Sequence, residues 1–82
     1  MFCISVSFKK TPLQVRQQFA FSKEEQNRFL AELTGEKKIS GGVIVSTCNR
    51  SEIYFTGETA AEVEERLASL KGIAKEDIQT VN

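Results

Sequence analysis

The first eight positions alternate. Phe2, Ile4, Val6 and Phe8 fall on one side, and Cys3, Ser5 and Ser7 on the other. That period of two predicts a half-buried strand, closed by Lys9 and Lys10. The period then lengthens. Thr11 suits a helix N-cap, Pro12 the first helical turn and Gln14 the capping-box position, while Val15 and Phe19 share a face. A short helix is predicted over Pro12 to Phe19. A second capping box, Ser22-Lys23-Glu24-Glu25, opens a helix with Phe29, Leu30 and Leu33 on its apolar side and Gly35 as its terminator.

Gly42 to Thr47 is rich in β-branched residues and apolar on both faces through Val45, which predicts a central strand. Cys48-Asn49-Arg50-Ser51 reads as a polar turn, and Glu52 to Thr56 as the next strand. Two strands this close pair antiparallel, because a parallel return needs a crossover of roughly a dozen residues. Gly57-Glu58 makes a turn, and Thr59-Ala60-Ala61-Glu62 is a third capping box. Val63, Leu67 and Leu70 follow at helical spacing, with Gly72 as the C-terminal cap. Ile78 to Val81 begins one more strand. The expected fold is α+β: a ferredoxin-like βαββαβ antiparallel sheet with helices on one face and the last strand cut short. A small open sheet of three strands is the alternative.

Composition narrows the chemistry. Eighty-two residues allow one domain. Eleven basic residues balance eleven acidic ones, which argues against a broad electrostatic grip on nucleic acid or an anionic membrane. Lys9, Lys10, Arg16, Glu62, Glu64 and Glu65 accordingly read as solvated surface. The chain has no histidine, so a Ser-His-Asp triad, a Cys-His pair and every His-based metal site are excluded within it. Two cysteines are too few for a disulfide framework, the alternating start is no signal peptide, and no apolar run reaches a membrane span. Free thiols in a reducing cytoplasm are expected. Cys3 reads as a passive small residue, and Tyr54 as a sheet residue with its hydroxyl near the surface.

The informative stretch runs from Val45 to Tyr54. Cys48 stands where a strand ends in a tight connection. Arg50 is a permanent cation with a fork shaped for carboxylates; it either lowers the thiol pKa or holds an acidic substrate. Thr47 and Asn49 add a hydroxyl and an amide. A nucleophile among such groups suits acyl transfer from an acidic amino acid. The plainer reading is a small apolar cysteine beside an ordinary Asn-Arg turn.

Ser46 to Tyr54 resembles the pattern S-T-C-N-R-[ST]-E-[IV]-Y of the glutamyl-tRNA reductase family, unbroken over nine positions. Upstream, Ser5 to Gln17 is similar in gapless register to the family's opening G-V-[NS]-H-K-T-A-P-[VI]-E-x-R-E. Val6, Ser7, Lys9, Pro12 and Arg16 agree, whereas Phe8, Lys10 and Gln14 replace His, Thr and Glu. Phe19 to Ser22 resembles the family's helix-to-helix joint. The resemblance implies NADPH-dependent reduction of the glutamyl group of glutamyl-tRNA to glutamate-1-semialdehyde, the entry to tetrapyrrole synthesis. Carried over, Cys48 is the nucleophile that forms a thioester, and Thr47, Asn49 and Arg50 belong to the glutamate pocket. The chain then corresponds to an incomplete N-terminal catalytic domain. NADPH is bound by a further domain outside these residues, the whole protein is a homodimer, and this piece alone does not turn over. A non-catalytic binding module on the same scaffold is the rival reading, and a thiol redox sensor at Cys48 a third.

Overall fold

The structure, a computed structural model, describes residues 1–8, 12–47 and 49–82, without the side chains of 13 and 15. The predicted Thr11 cap, Lys9, Lys10, the Val15 side chain and Cys48 lie outside that description. In order come β1 (Phe2–Ser7), α1 (Leu13–Phe19), α2 (Lys23–Gly35), β2 (Gly41–Ser46), β3 (Arg50–Thr56), α3 (Ala61–Lys71), a single 3₁₀ turn (Lys75–Asp77) and β4 (Ile78–Val81). The four strands form one sheet in the order β2-β3-β1-β4, each neighbour antiparallel. This is the split βαβ arrangement expected of the ferredoxin-like class, and β4 completes it with four residues.

One face of the sheet is buried. Ile4 and Val6 of β1, Ile53 and Phe55 of β3, and Ile44 of β2 meet Phe29 and Leu33 of α2 and Val63 and Leu67 of α3. Each such side chain contributes about 1.5–3 kcal/mol by leaving water. The strand period of two puts the alternate residues on the opposite, open face. There Val43 and Val45 are 56% and 47% exposed.

Those two valines correct the reading of β2. Its β-branched run lies at the sheet edge, not the centre, and only its inward residue Ile44 is buried. Helices cover a single face, so apolarity on both sides of a strand does not centre it. The central strands are β1 and β3.

Local signals fared unevenly. The Ser22 box forms in full: Ser22 Oγ accepts the Glu25 N–H, and Glu25 Oε1 accepts the Ser22 N–H, each at 3.1 Å. Gly72 ends α3 with φ 66°, as its lack of a side chain allows. Gly35, however, stays inside the last turn of α2. Lys37 takes the left-handed position (φ 62°) while the Lys37 and Lys38 N–H groups close on the Thr34 and Leu33 carbonyls. Pro12 is itself the N-cap of α1. At α3 the N-cap is Ala60, and Thr59 Oγ1 accepts from Ala61 N–H in a local turn in place of a box. Leu70 is exposed, because the packed stripe of α3 ends at Leu67.

Candidate functional site

Strands β1 and β2 run the same way, so their C-terminal ends share one rim with the start of β3. The connection from Thr47 to Arg50 lies there. Arg50 is the first residue of β3, not a turn residue: it pairs with Ser7 of β1, and Ser51 pairs with Val6 and Ser46. The strand therefore starts two residues earlier than expected. Arg50 is built onto a central strand, and its half-exposed guanidinium is 3.8 Å from Glu52 Oε2.

Thr47 closes the connection. Its N–H donates to the Arg50 carbonyl at 2.8 Å, and its hydroxyl donates to the same oxygen at 3.2 Å. Thr47 Oγ1 in turn accepts the N–H groups of Asn49 and Arg50, both at 3.2 Å. Threonine does this because a short β-hydroxyl reaches backbone groups two and three residues on. The Asn49 carbonyl accepts the Phe8 N–H at 2.7 Å, which ties the connection to the end of β1.

Two further ties reach the helical layer. Arg16 Nη1 of α1 donates to Asn49 Oδ1 at 3.1 Å. Below the connection, Ser46 Oγ accepts the Phe21 N–H at 3.0 Å and pairs with the hydroxyl of Ser51, which is 3% exposed, at 3.0 Å. The joint between α1 and α2 is fixed from behind by Lys71. Its ammonium donates to the Ala20 carbonyl at 2.8 Å and to Glu25 Oε2 at 3.0 Å, and lies 4.7 Å from the Phe21 ring centre. The Ser22 backbone N–H, followed by the Lys71 ammonium, holds the Glu25 carboxyl below its ordinary pKa.

The structure thus brings Thr47, Asn49 and Arg50 together at one rim. Cys48, the nucleophile expected between them in sequence, lies outside the described residues. Arg16 and the Ser46–Ser51 pair were missed as site residues. Arg16 is half-buried against the connection, not solvated surface, and its agreement with the family's opening pattern was the available signal. Phe8, standing where the family has histidine, is a core residue 2% exposed whose ring stacks on Phe19 at 5.2 Å between centres.

A cleft of about 310 Å³ opens at this rim, lined among others by Ser7, Phe8, Phe19, Ile73 and Asp77. A larger one of about 550 Å³, lined by Lys37, Lys38, Ser40, Gly57 and Glu58 among others, lies at the opposite rim and includes none of Thr47, Asn49 and Arg50. None of the described helices is long and apolar enough to cross a membrane. Among the described residues the sheet is antiparallel throughout, without the glycine-rich strand-to-helix turn of the doubly wound dinucleotide-binding fold.

The sequence profile of the "Glutamyl-tRNAGlu reductase, N-terminal domain" family matches residues 4–82. A protein named glutamyl-tRNA reductase from Marinomonas sp. (strain MWYL1) is 35% identical over 79 residues, covering 93% of this chain and 19% of its own length. One of the same name from Oceanobacillus iheyensis is 33% identical over 81 residues, covering 94% and 18%. The solved glutamyl-tRNA reductase from Methanopyrus kandleri superposes with a TM-score of 0.59 at 22% identity, covering 96% of this chain and 18% of that one, and so shares the fold. The chain spans about a fifth of the length of these relatives. It belongs to the glutamyl-tRNA reductase N-terminal domain family.

Proposed function

We propose that this chain is the glutamyl-accepting domain of a glutamyl-tRNA reductase in the tetrapyrrole pathway, and that it carries out the acyl-transfer half of that reaction. The observation that carries this reading is the rim of Thr47, Asn49 and Arg50, held rigidly on either side of Cys48 in sequence and joined to β1, α1 and the base of the hairpin.

In this reading the Cys48 thiol loses its proton to solvent and its sulfur attacks the ester carbonyl carbon of glutamyl-tRNA. A C–S bond forms, the ester C–O bond breaks, and the ribose oxygen leaves with a proton from water. Arg50 holds the side-chain carboxylate of the glutamyl group. A guanidinium already positioned by a strand suits this task, because its fork matches two carboxylate oxygens. Thr47 serves the pocket by keeping the connection closed. In this reading the reduction with NADPH takes place outside these 82 residues, which span about a fifth of the length of the relatives.

The test is selective labelling. Iodoacetamide should modify Cys48 faster than Cys3, and a glutarate monoester should protect Cys48 through its free carboxylate. Arg50→Gln should abolish the protection while leaving the unfolding midpoint unchanged. Equal labelling of the two thiols, with no protection, would contradict the proposal.

A further inference from the structure

Asn49 carries four polar groups, and three of them are engaged. Its carbonyl accepts from Phe8 N–H at 2.7 Å, its N–H donates to Thr47 Oγ1 at 3.2 Å, and its Oδ1 accepts from Arg16 Nη1 at 3.1 Å. The fourth, the Nδ2 amino group, has no acceptor among the described residues and sits on an exposed side chain.

The identity of the partner decides which way the carboxamide faces. A guanidinium has donors only, so it selects the amide oxygen and turns the amino group away from α1. Were the partner a hydroxyl, either orientation of the amide would be satisfied, and a carbonyl would select the amino group instead. Arg16 is itself placed by helix geometry. Its N–H donates to the Pro12 carbonyl at 3.0 Å, and the far end of α1 is anchored where the Phe21 N–H meets Ser46 Oγ. An exposed hydrogen bond of this kind contributes only about 0.5–1.5 kcal/mol to stability, so polarity rather than stability is its main consequence.

We propose that Arg16 is a positioning residue: it fixes the polarity of the Asn49 carboxamide, so that Nδ2 donates to the acyl carbonyl oxygen while that oxygen takes up negative charge. This rests on the acyl-transfer reading given above. A donor fixed in advance stabilises the developing oxyanion without reorganising at the moment of reaction.

The probe is the α-benzyl thioester of glutamic acid, mixed with the 82-residue chain. The Cys48 sulfur bonds to the acyl carbon, the carbon–sulfur bond to the benzyl thiol breaks, and the released thiolate is counted. Asn49→Asp keeps an acceptor for Arg16 and removes both Nδ2 hydrogens. It should fold at least as stably as the unsubstituted chain, yet acylate about 100-fold more slowly at saturating thioester with an unchanged half-saturating concentration. Arg16→Met should slow acylation about 10-fold, Arg16→Lys should restore part of the loss, and Arg16→Met added to Asn49→Ala should cost nothing further, because the two residues act as a unit. Arg16→Met should also shift the Asn49 side-chain amide resonances.

Full-rate acylation by Asn49→Asp overturns the inference and leaves the acyl-transfer reading standing. So do multiplying effects in the double variant, or unshifted amide resonances in Arg16→Met. An unsubstituted chain that acylates at Cys48 no faster than at Cys3 overturns both.

Discussion

Arg16 on α1 and Asn49 at the hairpin end are 33 positions apart, and the guanidinium donates to the amide oxygen at 3.1 Å. This bond joins the helical layer to the rim of the sheet. Because it is exposed, Arg16→Met should lower the unfolding free energy by less than about 1.5 kcal/mol, measured by urea titration. A larger loss would mean that Arg16 holds up the fold itself.

The serine pair beneath the rim should matter more. Ser46→Ala strands the Phe21 N–H and the buried Ser51 hydroxyl at once. A loss of about 1–3 kcal/mol is expected. Substituting both serines with alanine should cost less than the sum of the single changes, since they share one network. Equilibrium unfolding of the three variants checks this.

Acid should weaken the clamp behind the helix joint. The folded-state pKa of Glu25 is lowered from an ordinary 4.5 by the Ser22 N–H and the Lys71 ammonium. A lowered carboxylate contributes stability that is full above the unfolded value and is lost as pH falls through the folded one. The melting temperature of Glu25→Gln should therefore lie below that of the unsubstituted chain at neutral pH. The two should converge as pH falls below about 4.5, which is the ordinary value.

Neighbouring positions on β2 should respond unequally. A Cβ at Gly42 would come within 2.7 Å of the Tyr54 carbonyl oxygen and 3.0 Å of Phe55 Cβ. The carbonyl belongs to the backbone of the adjacent strand and cannot step aside, so Gly42→Ala should cost about 1–3 kcal/mol. Val43→Thr, on the open face, should stay within about 0.5 kcal/mol of neutral. Thermal unfolding of both variants separates the packed face of β2 from its open face.

What the sequence made legible was local. The alternation of Phe2 to Phe8 located β1, the Ser22 box fixed the start of α2, and Gly72 fixed the end of α3. What it hid depended on partners distant in the chain. The edge position of β2 follows from helices covering one face only, which a β-branched run does not reveal. The left-handed residue that closes α2 is Lys37 and not Gly35, which follows from which carbonyls the last N–H groups reach. Around the candidate site, Thr47, Asn49 and Arg50 stood out by residue type. The role of Arg16 did not, because a lone arginine on a short helix looks like solvated surface until the helix is placed against the hairpin.

The central claim is that Cys48 accepts a glutamyl group in a pocket whose carboxylate partner is Arg50. Intact-mass and peptide mass spectrometry after exposure to the glutamyl α-benzyl thioester tests it most directly. The account predicts one glutamyl group added at Cys48, none at Cys3, none in Cys48→Ser, and a strong reduction in Arg50→Gln. A glutamyl adduct spread evenly over both cysteines, or indifferent to Arg50→Gln, would contradict it.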